Sequence, residues 1–174
     1  MELYLENLDE ETRRYMLQEF EYDLNNGNIY ISGRLTESGK KLFPDLLKNS
    51  ILHGNETTLS SELKLYMVKT EMKKKRGGAG YTTADVPHNA NETLAEGEFN
   101  RLYMRGLCAR VINESSGQLV IYRAKDVDSP RIESQAMIGQ AIDPSELIAT
   151  LRSSQGAFTA IPKPNSGLSL RLIS

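Results

Sequence analysis

NANETLAEGEFNRLYMRGLCARVINE, residues 89–114, is the stretch on which the fold turns. Asn89 followed by Glu92 predicts a capping-box start. Ala95, Phe99, Leu102, Tyr103, Gly106, Leu107 and Val111 then recur at helical spacing over a wide face. So broad an apolar face predicts a long helix at the centre of the domain. Gly97 and Gly106 each cost about 1 kcal/mol of helix propensity relative to Ala, which predicts a second backbone packed against them. Glu92, Glu96, Glu98, Arg101 and Arg105 stand three and four residues apart. Such spacing predicts an exposed, ion-paired stripe worth roughly 0.2–0.5 kcal/mol per pair.

Toward the N-terminus, Asp9 with Glu10 and Glu11 supplies a side-chain acceptor and two acids for the start of a helix. Met16, Leu17, Phe20 and Leu24 carry that helix to about residue 25, and Asn26 with Gly27 offers the left-handed stop. A short alternating segment at Leu3–Leu5 precedes it, and Asn28–Ser32 reads as a strand. Thr36 opens a second helical pattern through Leu42, Leu46, Leu47 and Ile51; Pro44 inside it predicts a kink or two short helices. Thr58 starts a third pattern, through Leu59, Leu63, Tyr66 and Met67 to about Val68.

On the other side, Leu119–Lys125 alternates as the clearest strand, with Val120, Tyr122 and Ala124 on one face. Asp143, Pro144 and Glu146 make a strong helix start. From 155 the chain reads as an extended tail in which Leu168, Leu170 and Leu172 alternate as a final strand. The expected fold class is α+β: a small mixed or antiparallel sheet packed by four to five helices. A single domain spans 1–154, with a C-terminal tail over 155–174. A length of 174 residues at 39% hydrophobic suits one core.

Between about 70 and 88 the apolar periodicity vanishes. Lys73, Lys74, Lys75 and Arg76 run into Gly77, Gly78 and Gly80, with Tyr81 just beyond. The net charge of −2 hides this asymmetry: residues 1–64 hold seven Lys/Arg against twelve Asp/Glu, residues 65–80 five against one. Long segments without structure are uncommon in compact domains and are usually functional or ordered by a partner. The expectation is therefore an extended arm whose Lys73, Lys74, Lys75, Arg76 and Tyr81 contact a partner or a polyanion. Leu168, Leu170 and Leu172 are expected to act as an assembly strand that adds to a partner's sheet.

Catalytic and metal chemistry find no residue set. His53 and His88 are isolated, and the single Cys108 lies in an apolar helical context that predicts an inert buried thiol. Asp126, Asp128 and Glu133 read as a solvated acidic turn, and the glycine run lacks the Gly-Lys-Ser/Thr ending of a phosphate loop. No cofactor is expected. No apolar stretch approaches the roughly 20 residues that a bilayer span needs, and the first residues are acidic, so cytoplasmic synthesis is expected.

These features together predict a non-enzymatic structural or assembly protein of a large complex. The setting expected for it is the virion, in the head or neck of a tailed bacteriophage, where arms contact neighbouring subunits in a homo- or hetero-oligomer. The alternative is a small nucleic-acid-associated or inhibitory protein that uses the basic arm at 73–81. A third class is an enzyme whose site is assembled from scattered residues such as Glu98, Arg101, Tyr103, Tyr122 and Arg123.

Overall fold

The structure, a computed structural model, describes residues 2–153 and 166–173. The first helix, α1 (Glu10–Asn26), begins where Asp9 Oδ1 accepts the Thr12 N–H at 2.8 Å. It ends at Gly27, whose φ of 66° closes the last turn. Next come α2 (Glu37–His53) and α3 (Glu56–Leu63), the latter running into a short 3-10 turn at Lys64–Tyr66. Pro44 lies inside α2, which continues on both sides of it, because Phe43, Leu47 and Ile51 are all anchored in the core. The segment 28–32 is irregular rather than a strand.

The expected central helix is α4 (Ala90–Glu114). It packs against α1 and α3, and against α6 (Pro144–Ser153), whose start is capped by Asp143 Oδ1 accepting the Glu146 N–H at 2.9 Å. Phe99, Tyr103, Met104, Leu107 and Cys108 are fully buried. At Gly106 a Cβ would stand 2.7 Å from Met16 Cγ and 3.0 Å from the Met16 backbone nitrogen, so α1 does cross here backbone to backbone. Gly97 meets nothing within 4 Å, and the same expectation fails there.

The strands form two separate antiparallel sheets. One is the hairpin of β1 (Thr70–Lys74) and β2 (Tyr81–Asp85); the other has the order β4-β3-β5, from β3 (Gln118–Arg123), β4 (Ala141–Ile142) and β5 (Leu168–Ile173). Leu119 and Ile121 of β3 face the main core, while Tyr122 and Ala124 are covered by Leu3 and Leu5. The Tyr4 N–H donates to the Ala124 carbonyl at 2.8 Å, which lays the N-terminal strip over the sheet. The fold is α+β as expected. Among the described residues there are six α-helices rather than four or five, because the segment after Pro130 forms α5 (Ile132–Met137).

Two expectations about arms need correction. The stretch after residue 70 is a β-hairpin, not a structureless loop. Leu168, Leu170 and Leu172 do form a strand, but it pairs with β3 of the same chain, and Leu168 and Leu170 are buried. Its outer edge is occupied as well: the Leu168 carbonyl accepts from Asn100 Nδ2 and the Leu172 N–H donates to Asn7 Oδ1, both at 2.9 Å. Side chains on these two open groups compete with strand addition at this edge. The part of the expected tail at 155–165 lies outside the described residues.

Candidate functional site

Thr70–Lys74 and Tyr81–Asp85 hold no apolar alternation, yet β-branched and aromatic residues in Tyr81, Thr82 and Thr83 favour a pleated strand. The intervening segment can turn because Gly77 and Gly80 adopt φ of 72° and 101°. Pairing runs from Thr70 opposite Asp85 to Lys74 opposite Tyr81, and the Lys75 N–H closes the tip on the Gly80 carbonyl at 3.1 Å. The register sorts the side chains. Met72, Lys74, Tyr81 and Thr83 share one face; Glu71, Lys73, Thr82 and Ala84 share the other.

The second face turns toward the body. Arg34 Nε and Nη2 grip Glu71 Oε2 and Oε1 at 2.7 and 3.0 Å, and Lys73 Nζ stands 3.3 Å from the same carboxylate. The hydrogen bond from Arg34 holds the Glu71 carboxyl below its usual range, and Glu71 in return raises Arg34. At the base, the Val68 N–H donates to the Arg34 carbonyl and the Thr36 N–H to the Tyr66 carbonyl, so the hairpin is fastened at its root. The first face is open to solvent: Met72 and Tyr81 are each 64% exposed beside Lys74. Of the expected contact residues, then, Lys74 and Tyr81 are brought together, with Lys75 and Arg76 at the tip, whereas Lys73 points the other way and is ion-paired. Met72 is a member of this face that the sequence reading missed.

A second concentration of charge lies inside the molecule. The stripe expected to be exposed on α4 is split: Glu92 is exposed and Glu96 half-buried, but Glu98, Arg101 and Arg105 are each 6% exposed or less. Arg105 Nε and Nη2 reach Glu19 Oε2 at 2.9 and 2.8 Å, and Nη1 reaches Asp23 Oδ2 at 2.5 Å. Arg101 Nη2 meets the same Asp23 oxygen at 2.8 Å, and Arg152 from α6 forks onto Glu19 at 2.9 and 2.6 Å. The Tyr22 ring lies under Arg152, 4.4 Å from its guanidinium carbon. Burial pushes the Glu19 carboxyl up, but the hydrogen bonds from Arg152 and Arg105 outweigh it and hold Glu19 below its usual range. Glu98 is 3.9 Å from Arg101, and burial raises its carboxyl to about 7.

The residues considered for a dispersed catalytic site do structural work. Tyr103 Oη accepts the Asn7 N–H at 3.1 Å, Tyr122 Oη donates to the Tyr4 carbonyl, and Arg123 Nη1 donates to the Ser166 carbonyl at 2.9 Å. Burial pushes the Cys108 thiol up to about 12, as expected of an inert core cysteine. Among the described residues no three His, Cys, Asp or Glu side chains converge as metal ligands, and no helix is long and apolar enough to cross a membrane. Compared with known protein families, curated proteins and solved structures, the chain matches none.

Proposed function

We propose that this chain is a non-catalytic assembly protein that docks onto other protein subunits through the hairpin of β1 and β2. One observation carries this: the hairpin presents Met72 and Tyr81, both largely exposed, next to Lys74 on its outward face. Interface cores favour Met and aromatic side chains such as Met72 and Tyr81, with a lysine such as Lys74 suited to the polar rim, and isolated two-stranded hairpins are marginal unless something covers them. With β5 paired inside its own sheet, the proposal rests on this arm alone. A virion of a tailed bacteriophage remains the setting proposed for it, on the strength of an arm-bearing α+β body.

Native mass measurement of the full chain beside a variant in which a short turn replaces residues 71–84 tests the docking role. Association lost in the variant, with helical circular dichroism intact, is the expected outcome. Association that survives the replacement overturns it.

The pairing of Lys74 with Tyr81 favours a second reading, contact with a nucleic-acid backbone, since a cation beside a ring suits a phosphate and a stacked base. Binding of a labelled single-stranded oligonucleotide that falls steeply with salt and is lost in Tyr81→Ala would favour it over protein docking.

A further inference from the structure

A groove of about 320 Å³ lies between α3 and the first turns of α4. That volume is at the lower end of what ligand pockets offer, room for one or two incoming side chains. Its lining is acidic: Glu2, Glu56, Glu92 and Glu96 against Lys64. Asn91 fixes one wall by donating to the Ser60 carbonyl and hydroxyl at 3.0 and 2.9 Å.

The carboxylates differ in what they already hold. Glu96 takes Lys125, and Glu2 accepts from the Asn55 side chain. Glu92 is exposed and makes no ion pair among the described residues. Glu56 is the telling one, only 3% exposed. Its Oε1 accepts the Leu3 N–H at 2.7 Å, but its Oε2 is buried with no partner. Burial, and then the nearby Glu2 and Glu96 carboxylates, raise the Glu56 carboxyl above its usual range, opposed by the backbone N–H groups of Leu3 and of Glu56 itself. A buried acceptor without a donor, in a groove of like charges, is a site that a cation completes.

The hairpin supplies the matching chemistry. Lys74, Lys75 and Arg76 form no ion pair among the described residues, and strands of this length carry the tip roughly 17 Å beyond the hairpin's base. We propose that the groove beside Glu56 is the acceptor for the basic hairpin tip of a second copy of this chain. The proposal rests on the docking role of the hairpin and names its partner. Exchanged reciprocally between two copies, the tips make two identical contacts related by a two-fold axis, an arrangement that closes the dimer and leaves no open end. The ammonium or guanidinium of the tip sits among Glu56, Glu92 and Glu2, while Met72 and Tyr81 pack at the rim.

Charge reversal tests this with two full-length variants whose changes fall on exposed side chains. One is reversed at the tip, Lys74→Glu with Lys75→Glu and Arg76→Glu; the other in the groove, Glu2→Lys with Glu92→Lys. Each alone is expected to dimerise at least tenfold more weakly than wild type by native mass spectrometry, because like charge then meets like charge. Mixed together they are expected to form a heterodimer of near wild-type strength, since the acidic tip of one meets the basic groove of the other and the two unaltered elements also match. Three outcomes overturn the proposal. If the tip variant dissociates but the groove variant does not, the groove is not the acceptor and the docking role of the hairpin survives. If neither variant weakens the dimer, that role falls too. If wild type is a monomer throughout the micromolar range, self-docking is wrong and the hairpin's partner is a different subunit.

Discussion

The buried network between α1, α4 and α6 and the tip of the hairpin are built from the same kinds of side chain and reach opposite ends. Inside, the Arg105 and Arg152 guanidiniums are shared out over Glu19 and Asp23 with bonds of 2.5 to 3.1 Å, and Arg105 has no exposed surface. At the tip, Lys74, Lys75 and Arg76 face water. Matched charge fixes how three helices sit together, whereas unmatched charge is available to something else. The difference teaches that the count and spacing of charges say little until the face they occupy is known.

The largest effect that would break this contrast is at Arg105. Arg105→Ala leaves Glu19 with Arg152 alone and Asp23 with Arg101 alone, and thinning a buried ion network in this way costs up to about 3–5 kcal/mol, the figure for a buried charge left wholly unpaired. Arg76→Ala, by contrast, should leave stability within about 0.5 kcal/mol of wild type. Urea unfolding of both decides it. Equal effects would show that the network is no more structural than the tip.

Glu98 sharpens the comparison through pH. Its carboxyl is raised from an ordinary 4.5 to about 7, so the fold favours the protonated form. The contribution is complete below pH 4.5 and is lost as pH rises through 7. The shift corresponds to roughly 3 kcal/mol at most. Arg101, Asp23 and Arg105 are the charged groups that act on it. Glu98→Gln, of nearly equal volume and without a titrating proton, should flatten the decline in melting temperature between pH 6 and 8. A wild-type melting temperature that rises over that interval would contradict the burial of this carboxyl.

A smaller effect separates the two glycines of α4. Gly106→Ala drives a Cβ against Met16 and should cost about 1–3 kcal/mol, while Gly97→Ala, in open space, should gain up to about 1 kcal/mol from helix propensity. Thermal melts of the pair, with opposite signs, check the α1–α4 crossing directly.

Much of the fold was legible because its signals are local. Asp9 and Gly27 bound α1, and Asp143 with Pro144 starts α6, all by bonds spanning a few residues. The face of the α4 charges was not, because spacing places Glu98, Arg101 and Arg105 near one another without saying what covers them. One signal was present: Met16, Glu19, Phe20 and Asp23 share a side of α1, so two acids lie on the helix's buried face and need cations opposite. The hairpin escaped because both of its strands lie mostly in water, which removes the period-two pattern by which strands are recognised. Asn28–Ser32 misled in the other direction: its Ile29 and Tyr30 pack on the core from an irregular segment with no ladder partner.

The smallest effect expected concerns how the hairpin is held. Arg34 grips Glu71 by two bonds, and both side chains keep access to water, where such a pair adds little to global stability. Arg34→Ala should therefore leave the melting temperature of the whole chain almost unchanged. Its consequence is local: with the second face of the hairpin released, amide hydrogens of β1 and β2 should exchange several-fold faster, while those of α4 keep their protection. Adding the Lys74, Lys75 and Arg76 reversals to Arg34→Ala should not speed that exchange further in the monomer, because the tip cations form no ion pair among the described residues. Slowing of hairpin exchange as wild-type concentration rises, absent in the tip-reversed variant, would tie the free face to a partner. Exchange that is slow and independent of concentration would mean the hairpin is held by its own chain.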